Sequence, residues 1–163
     1  MKSEDFSKEK FSLSIIVNEN ISNCFNSFVT AKGLESWFIG DAVFENDRGT
    51  KDKSEHLESG DNYNWVWQKD FSIKGSVIKY IKNKEVAFTF GQNFTFEVKF
   101  SEIGKRTMVN FIQHNHKPTS GNEFAFINCC VCWNFFLTNL KSVLENKSDL
   151  RETIVFDETL LNQ

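Results

Sequence analysis

His114 and His116 lie one residue apart at the end of a period-two run, so on a strand their imidazoles point to one side. With His56 they could ligate a metal or relay a proton. No carboxylate pair or cysteine falls at a ligand spacing beside them, and Asn115 and Lys117 give them the setting of a polar loop. The reading favoured is therefore exposed histidines. Of four cysteines, Cys129, Cys130 and Cys132 crowd into four residues while Cys24 stands alone. A zinc site would want pairs separated by two residues, with a second pair elsewhere. These read instead as small packing residues in a reducing compartment. The sequence has no Gly-rich phosphate loop, nucleophile elbow or metal-binding helix motif. Glu97 is flanked by inward-reading Phe96 and Val98, which turns it outward. Asn134, beside an apolar stripe, could orient a ligand or pair with sheet backbone. With Tyr63, Tyr80 and Gln113 it completes the polar residues on which an enzyme could draw, their facing left open. No catalytic residue, metal or cofactor is assigned.

What must position these residues follows from composition and periodicity. The chain has 163 residues, 40% hydrophobic and 25% charged, as expected of one soluble domain with a sizeable core. A single domain over 1–163 is expected, with its core at about 11–151 and a tail over 152–163. Eighteen Phe and four Trp are too many bulky rings for an ordinary core. They must line a thick interior or a cavity left within it. A net charge of −3 argues against a nucleic-acid surface. No run approaches a membrane span, and the charged N-terminus shows no secretory signal, so the expected location is cytoplasmic.

The longest stretch without Pro or Gly, Asn122 to Glu145, reads as a helix roughly 36 Å long. Phe126, Cys130, Trp133, Leu137, Leu140 and Leu144 recur at three and four, with Phe136 and Val143 widening the stripe. Asn128, Asn139, Lys141, Ser142 and Glu145 fall largely elsewhere. Ahead of it, residues 1–9 read as a frayed polar end, and Phe11 to Val17 alternates as a half-buried strand. Asn18 and Asn20 offer turn and cap chemistry before two short helices, Ile21 to Thr30 and Ala31 to Phe38. Strands follow at Ile39 to Glu45, Tyr63 to Trp67, Phe71 to Tyr80, Val86 to Phe90, Phe94 to Phe100 and Thr107 to His114. Asn46 to Asp61 reads as a long polar loop, either mobile or with a poorly formed strand inside it. Lys69-Asp70 and His116 to Gly121 read as connections, and Ile154 to Phe156 with Leu160-Leu161 leave the tail's conformation open. The fold class is α+β: a curved antiparallel sheet wrapped around the long C-terminal helix.

That order, together with the segment from Cys132 to Glu152, resembles the START-like helix-grip superfamily, also called SRPBCC. Within it the chain most resembles the branch named for activators of the heat-shock protein 90 ATPase. Trp133, Leu137, Leu140, Leu144, Glu145, Asp149, Leu150 and Arg151 match that branch's helix signature, and Leu34-Glu35-Ser36-Trp37-Phe38 its motif closing the short helical pair. Cys132 departs from it, standing where the family usually has Gly.

The resemblance implies an elongated cavity between sheet and helix able to hold an apolar ligand. Its expected lining is Trp65, Trp67, Phe88, Phe90, Phe96, Val109, Phe111, Phe126, Cys130, Trp133, Asn134 and Leu137, with Phe25, Leu34 and Trp37 near the mouth. The opposing expectation is that so many rings fill the space outright. Two partners follow: a small hydrophobic or lipid-like molecule bound without catalysis, or a chaperone ATPase contacted through the surface. A cyclase- or hydrolase-like enzyme is the third reading, and oligomeric state stays open.

Overall fold

The computed structural model describes residues 8–68, 71–118 and 123–152. The expectations for the N-terminal seven residues, the Lys69-Asp70 turn, the end of the loop before the long helix and the tail from 153 lie outside them. The chain runs β1 (Lys10–Val17), α1 (Ile21–Val29), α2 (Ala31–Glu35), β2 (Asp41–Asn46), β3 (Gly49–Thr50), β4 (Asn62–Gln68), β5 (Phe71–Ile81), β6 (Glu85–Phe90), β7 (Phe94–Ile103), β8 (Arg106–Asn115) and α3 (Glu123–Asn146). The strands form one antiparallel sheet in the order β1-β8-β7-β6-β5-β4-β2-β3, curved and not closed, with α3 lying across its inner face.

Alternation sets the sheet's two faces. On β8, Thr107, Val109, Phe111, Gln113 and Asn115 are buried, while the residues between them are partly exposed. Register then puts Phe111 opposite both Leu13 and Val98, and Gln113 opposite both Phe11 and Phe96. Bulges between Val66 and Gln68 and between Val77 and Lys79 interrupt the β4–β5 and β5–β6 ladders. Bulges of this kind bend a sheet around what it covers.

The short helices owe their shape to two caps. Asn20 accepts from the Asn23 N–H at 2.9 Å to start α1, and Thr30 from Gly33 N–H at 2.9 Å to start α2. A Cβ at Gly33 would overlap the Asn26 carbonyl and the Thr30 hydroxyl, so the close approach of α2 to α1 needs glycine there. The second helix is shorter than its periodicity suggests. It ends at Glu35, and Trp37 and Phe38 sit in the turn that follows.

The polar stretch before β4 is more organised than expected. Lys51, its side chain 5% exposed, pairs with Asp61 at 3.1 Å and donates to the His56 carbonyl at 3.0 Å. Asp61 also accepts from Asn46 and from the Glu58 N–H. Leu57 is fully buried, its N–H bonded to the Val29 carbonyl. A buried ion pair with satisfied partners and one apolar plug fix a segment whose composition reads as a loose loop.

Candidate functional site

The backbone of α3 approaches the sheet most closely along β1. Over the middle strands the two layers meet through large rings from both sides. Trp133 is the hub, with Phe111, Phe38, Phe96 and Phe90 at ring-centre distances of 4.3, 4.7, 4.9 and 5.7 Å. Beyond them Trp65 stacks on Tyr63 at 3.9 Å and meets Phe88 at 5.2 Å. At the rim Trp67 and Phe90 are half-buried, and Phe71, 5.4 Å from Trp67, is 59% exposed.

Of the expected lining, Trp65, Phe88, Phe96, Val109, Phe111, Trp133 and Leu137 are buried in one cluster, and Phe126 is buried beside Phe11, ring centres 5.5 Å apart. Five placements differ. Asn134 is exposed, and Cys130, only half-buried, does not pack against the core, whereas Cys129 and Cys132 do. The buried face of α3 carries Phe126, Trp133, Phe136, Leu137, Asn139 and Leu140, rotated roughly 40° from the stripe the spacing suggests, at about 100° per residue. Phe25, Leu34 and Trp37 do not stand near a mouth. They are 0%, 2% and 0% exposed beneath the short helices, where Phe25 packs on Phe100 and Tyr80, and Trp37 on Phe28. That end is closed.

Two residues in the interior lacked clear signals. Phe38 touches Trp37, Trp65, Trp67, Trp133 and Phe136, which its place in the Leu-Glu-Ser-Trp-Phe motif could have suggested. Asn139, read as surface, is fully buried. Its Nδ2 donates to the Trp37 carbonyl at 2.7 Å and to Asp149 Oδ1 at 2.9 Å, and its Oδ1 accepts from the Leu150 N–H at 2.7 Å. Arg151 completes this clasp, donating to the carbonyls of Ile39 and Glu35 at 2.9 and 2.8 Å and pairing with Asp149. Asn139 sits three residues after Phe136 and four before Val143, in a row the apolar pattern already marked.

Polar groups inside the ring layer are few. The Trp133 indole N–H donates to Gln113 Oε1 at 2.9 Å. Because an indole nitrogen only donates, this bond fixes which end of the amide carries the oxygen. Gln113 Nε2 then faces the interior with no hydrogen-bond partner, as does the indole nitrogen of Trp65, and both residues are 0% exposed. The Cys129 thiol lies beside the Gln113 amide. Burial raises its pKa, and the amide offsets part of that rise. A thiol sulfur is a weak acceptor, and their contact falls outside hydrogen-bond geometry.

The other candidates for chemistry disperse. His114 faces Glu97 at 3.7 Å on the outer sheet surface, where Glu97 also meets Lys99, and His116 pairs with the Thr95 hydroxyl at 2.9 Å. His56 is elsewhere, its Nδ1 2.9 Å from the Tyr80 hydroxyl, and burial followed by the charges of Lys82 and Lys51 lowers its pKa. Tyr63 donates to the Thr89 carbonyl at 2.6 Å. The four polar residues considered for an enzyme thus do not converge. Among the described residues no three His, Cys, Asp or Glu side chains group as metal ligands. All four cysteines are free thiols with pKa values raised by burial, Cys24 to about 11, so none is poised as a nucleophile. No helix among the described residues is long and apolar enough to cross a membrane.

Comparison with known structures places this architecture. The protein SSP2350 from Staphylococcus saprophyticus superposes with a TM-score of 0.71 at 18% identity, over 89% of this chain and 98% of that one. The Aha1 dimer from Colwellia psychrerythraea gives 0.65 at 19% identity, over 84% and 96%. Protein NE0264 from Nitrosomonas europaea gives 0.70 at 13% identity, over 87% and 97%. No curated protein matches the sequence significantly. The family model described as Activator of Hsp90 ATPase homolog 1-like protein matches residues 20–145, from the cap of α1 to the last turn of α3. The chain belongs to that family, within the START-like superfamily.

Proposed function

We propose that the protein is a non-catalytic binding module that takes a small hydrophobic molecule between the inner sheet face and α3. The observation that carries this reading is the layer of large rings between α3 and the middle of the sheet, which holds two buried donors without partners. At its rim Trp67 and Phe90 are half-buried. Rings at such a rim can swing between rotamers at modest cost, letting an apolar guest replace ring-to-ring contacts with guest-to-ring contacts of similar strength. Burying a guest at about 25 cal/mol per Å² of apolar area would supply the affinity. The test is native mass spectrometry of the purified protein against its denatured mass, followed by titration with an environment-sensitive naphthalene fluorophore. A co-purified molecule or saturable, competable probe binding supports the reading. An apo mass with no probe binding overturns it.

A second reading has its own observation. Phe124, Ile127 and Val131, spaced at three and four, are 76%, 53% and 57% exposed on the solvent side of α3. An apolar row on a solvent-facing helix fits a protein partner, and the family description makes that partner a chaperone ATPase. Stimulated ATP turnover by such a chaperone at saturating protein supports this reading, and unchanged turnover counts against it.

A further inference from the structure

The unpartnered amide of Gln113 carries information about what the interior receives. A buried donor left without an acceptor costs folding free energy, and native structures keep few of them. Here two occur in one ring layer. Gln113 is the cross-strand partner of Phe96, and the Trp65 ring lies 6.2 Å from that same Phe96. Both open positions are donors, an amide N–H and an indole N–H. A hydrocarbon guest would leave both unsatisfied, whereas an oxygen lone pair would satisfy the one it reaches, and a carbonyl oxygen does so without bringing a donor of its own that needs a partner. Trp133 holds the amide in this orientation, since turning it over would set the amide nitrogen against the indole N–H. The neighbours of Gln113, namely Trp133, Cys129, Phe96 and Phe11, bring no cation. A carboxylate there would be buried without a counter-charge.

We propose that Gln113 is the polar anchor of the interior, donating from Nε2 to a neutral carbonyl oxygen on an otherwise apolar guest, and that the site selects ketones or esters over hydrocarbons and over carboxylates. This inference rests on the cavity reading above.

The experiment compares three fluorophores: 6-propionyl-2-(dimethylamino)naphthalene, its 6-propyl hydrocarbon counterpart and the corresponding 2-naphthoate. Each is titrated into the wild type, Gln113→Met and Gln113→Glu. The Glu variant keeps an acceptor for the Trp133 N–H and, buried without a counter-charge, is held in its protonated form, whose O–H can still donate, so ketone preference should survive in it. Because solvation of each probe cancels between proteins, the readout is the change in the ketone-to-hydrocarbon Kd ratio. Loss of one neutral hydrogen bond should erase about five- to tenfold of ketone preference in Gln113→Met. Ketone emission should move to shorter wavelength, hydrocarbon binding should stay unchanged, and the naphthoate should bind the wild type more weakly than the ketone. If Gln113→Met fails to fold because the Trp133 N–H is stranded, Gln113→Met with Trp133→Phe removes both donors and gives the same comparison. An unchanged ratio in the Met variants overturns the proposal while leaving the cavity standing, and includes the case where Nε2 holds only a water. If neither probe binds the wild type, the cavity reading falls and the anchor with it.

Discussion

The two halves of α3 are held in opposite ways. From Asn139 onward the helix is tied by directed polar bonds: Asn139 to the Trp37 carbonyl, Lys141 to the Ile16 carbonyl, and Glu145 accepting the Asn18 N–H at 2.6 Å. The segment after it is stapled back by Arg151. Before Trp133 the helix rests mainly on apolar contact, with one exposed ion pair, Lys8 to Glu123 at 2.9 Å, in its first turn, and it exposes Phe124, Ile127 and Val131. The clasped half joins both sequence motifs that carry the family resemblance, Leu34 to Phe38 and Asp149 to Arg151. Those motifs therefore encode how the helix is gripped.

Trp133 lies at the seam and should give the largest effect. Its indole reaches Gln113 on the loosely held side, and its ring stacks on Phe38 on the clasped side. Trp133→Ala should cost about 3–5 kcal/mol in denaturant unfolding, as other buried large-to-small changes do. A cost under about 1 kcal/mol would mean the two halves do not share this support.

Asn139→Ala should come next, at about 1–3 kcal/mol, because it strands the Trp37 carbonyl in a buried place, while the Leu150 N–H, on an exposed residue, can turn to water. Hydrogen exchange should localise the damage to the last turns of α3 and the Leu34–Phe38 segment, sparing the first turns. Uniform loss of protection along α3 would break the distinction between halves.

The contrast also marks what the sequence could say. Hairpins, strand faces and the helix-grip order were readable because alternation and the long apolar helix each report burial directly. Asn139 was not, since a lone amide on a helix reads as solvent-facing until its partners from distant segments are known. Cys130 and Asn134 were misplaced for a related reason. Cys129, Cys130 and Cys132 are equally small and apolar, so periodicity could rotate the buried face without penalty. The order within residues 46–61 comes from Lys51 meeting Asp61, a pairing that composition alone makes look like solvated charge.

Acid should act on the clasped half too, and more weakly. The Asn18 N–H and Lys141 hold Glu145 below its ordinary 4.5. Burial works to raise Asp149, but the hydrogen bonds from Arg151 and Asn139 outweigh it and hold the group below 3.8. Carboxylates depressed in the folded state stabilise it above their unfolded pKa values and lose that contribution as pH falls through the folded ones. The stability gap between wild type and Asp149→Asn with Glu145→Gln should therefore narrow as pH drops below about 4.5. Because both groups are partly exposed, the gap should be no more than about 1 kcal/mol. A gap constant from pH 7 to 3 would remove these charges from the account.

The smallest structural effect should come from the solvent side of the loosely held half. Ile127 and Val131 are each more than half exposed, so Ile127→Ser with Val131→Ser should move stability by no more than about 0.5 kcal/mol per site. Ketone-probe binding should be unchanged, because these side chains point away from the ring layer. The same variant divides the two functional readings. If the protein stimulates a chaperone ATPase through this row, the double substitution should abolish stimulation while leaving fold and probe binding intact. If stimulation survives, any chaperone contact is made elsewhere and the row is only exposed hydrocarbon. Loss of probe binding would instead mean that the outer and inner faces of the first turns are coupled, and that the interior opens by moving the unclasped half of α3.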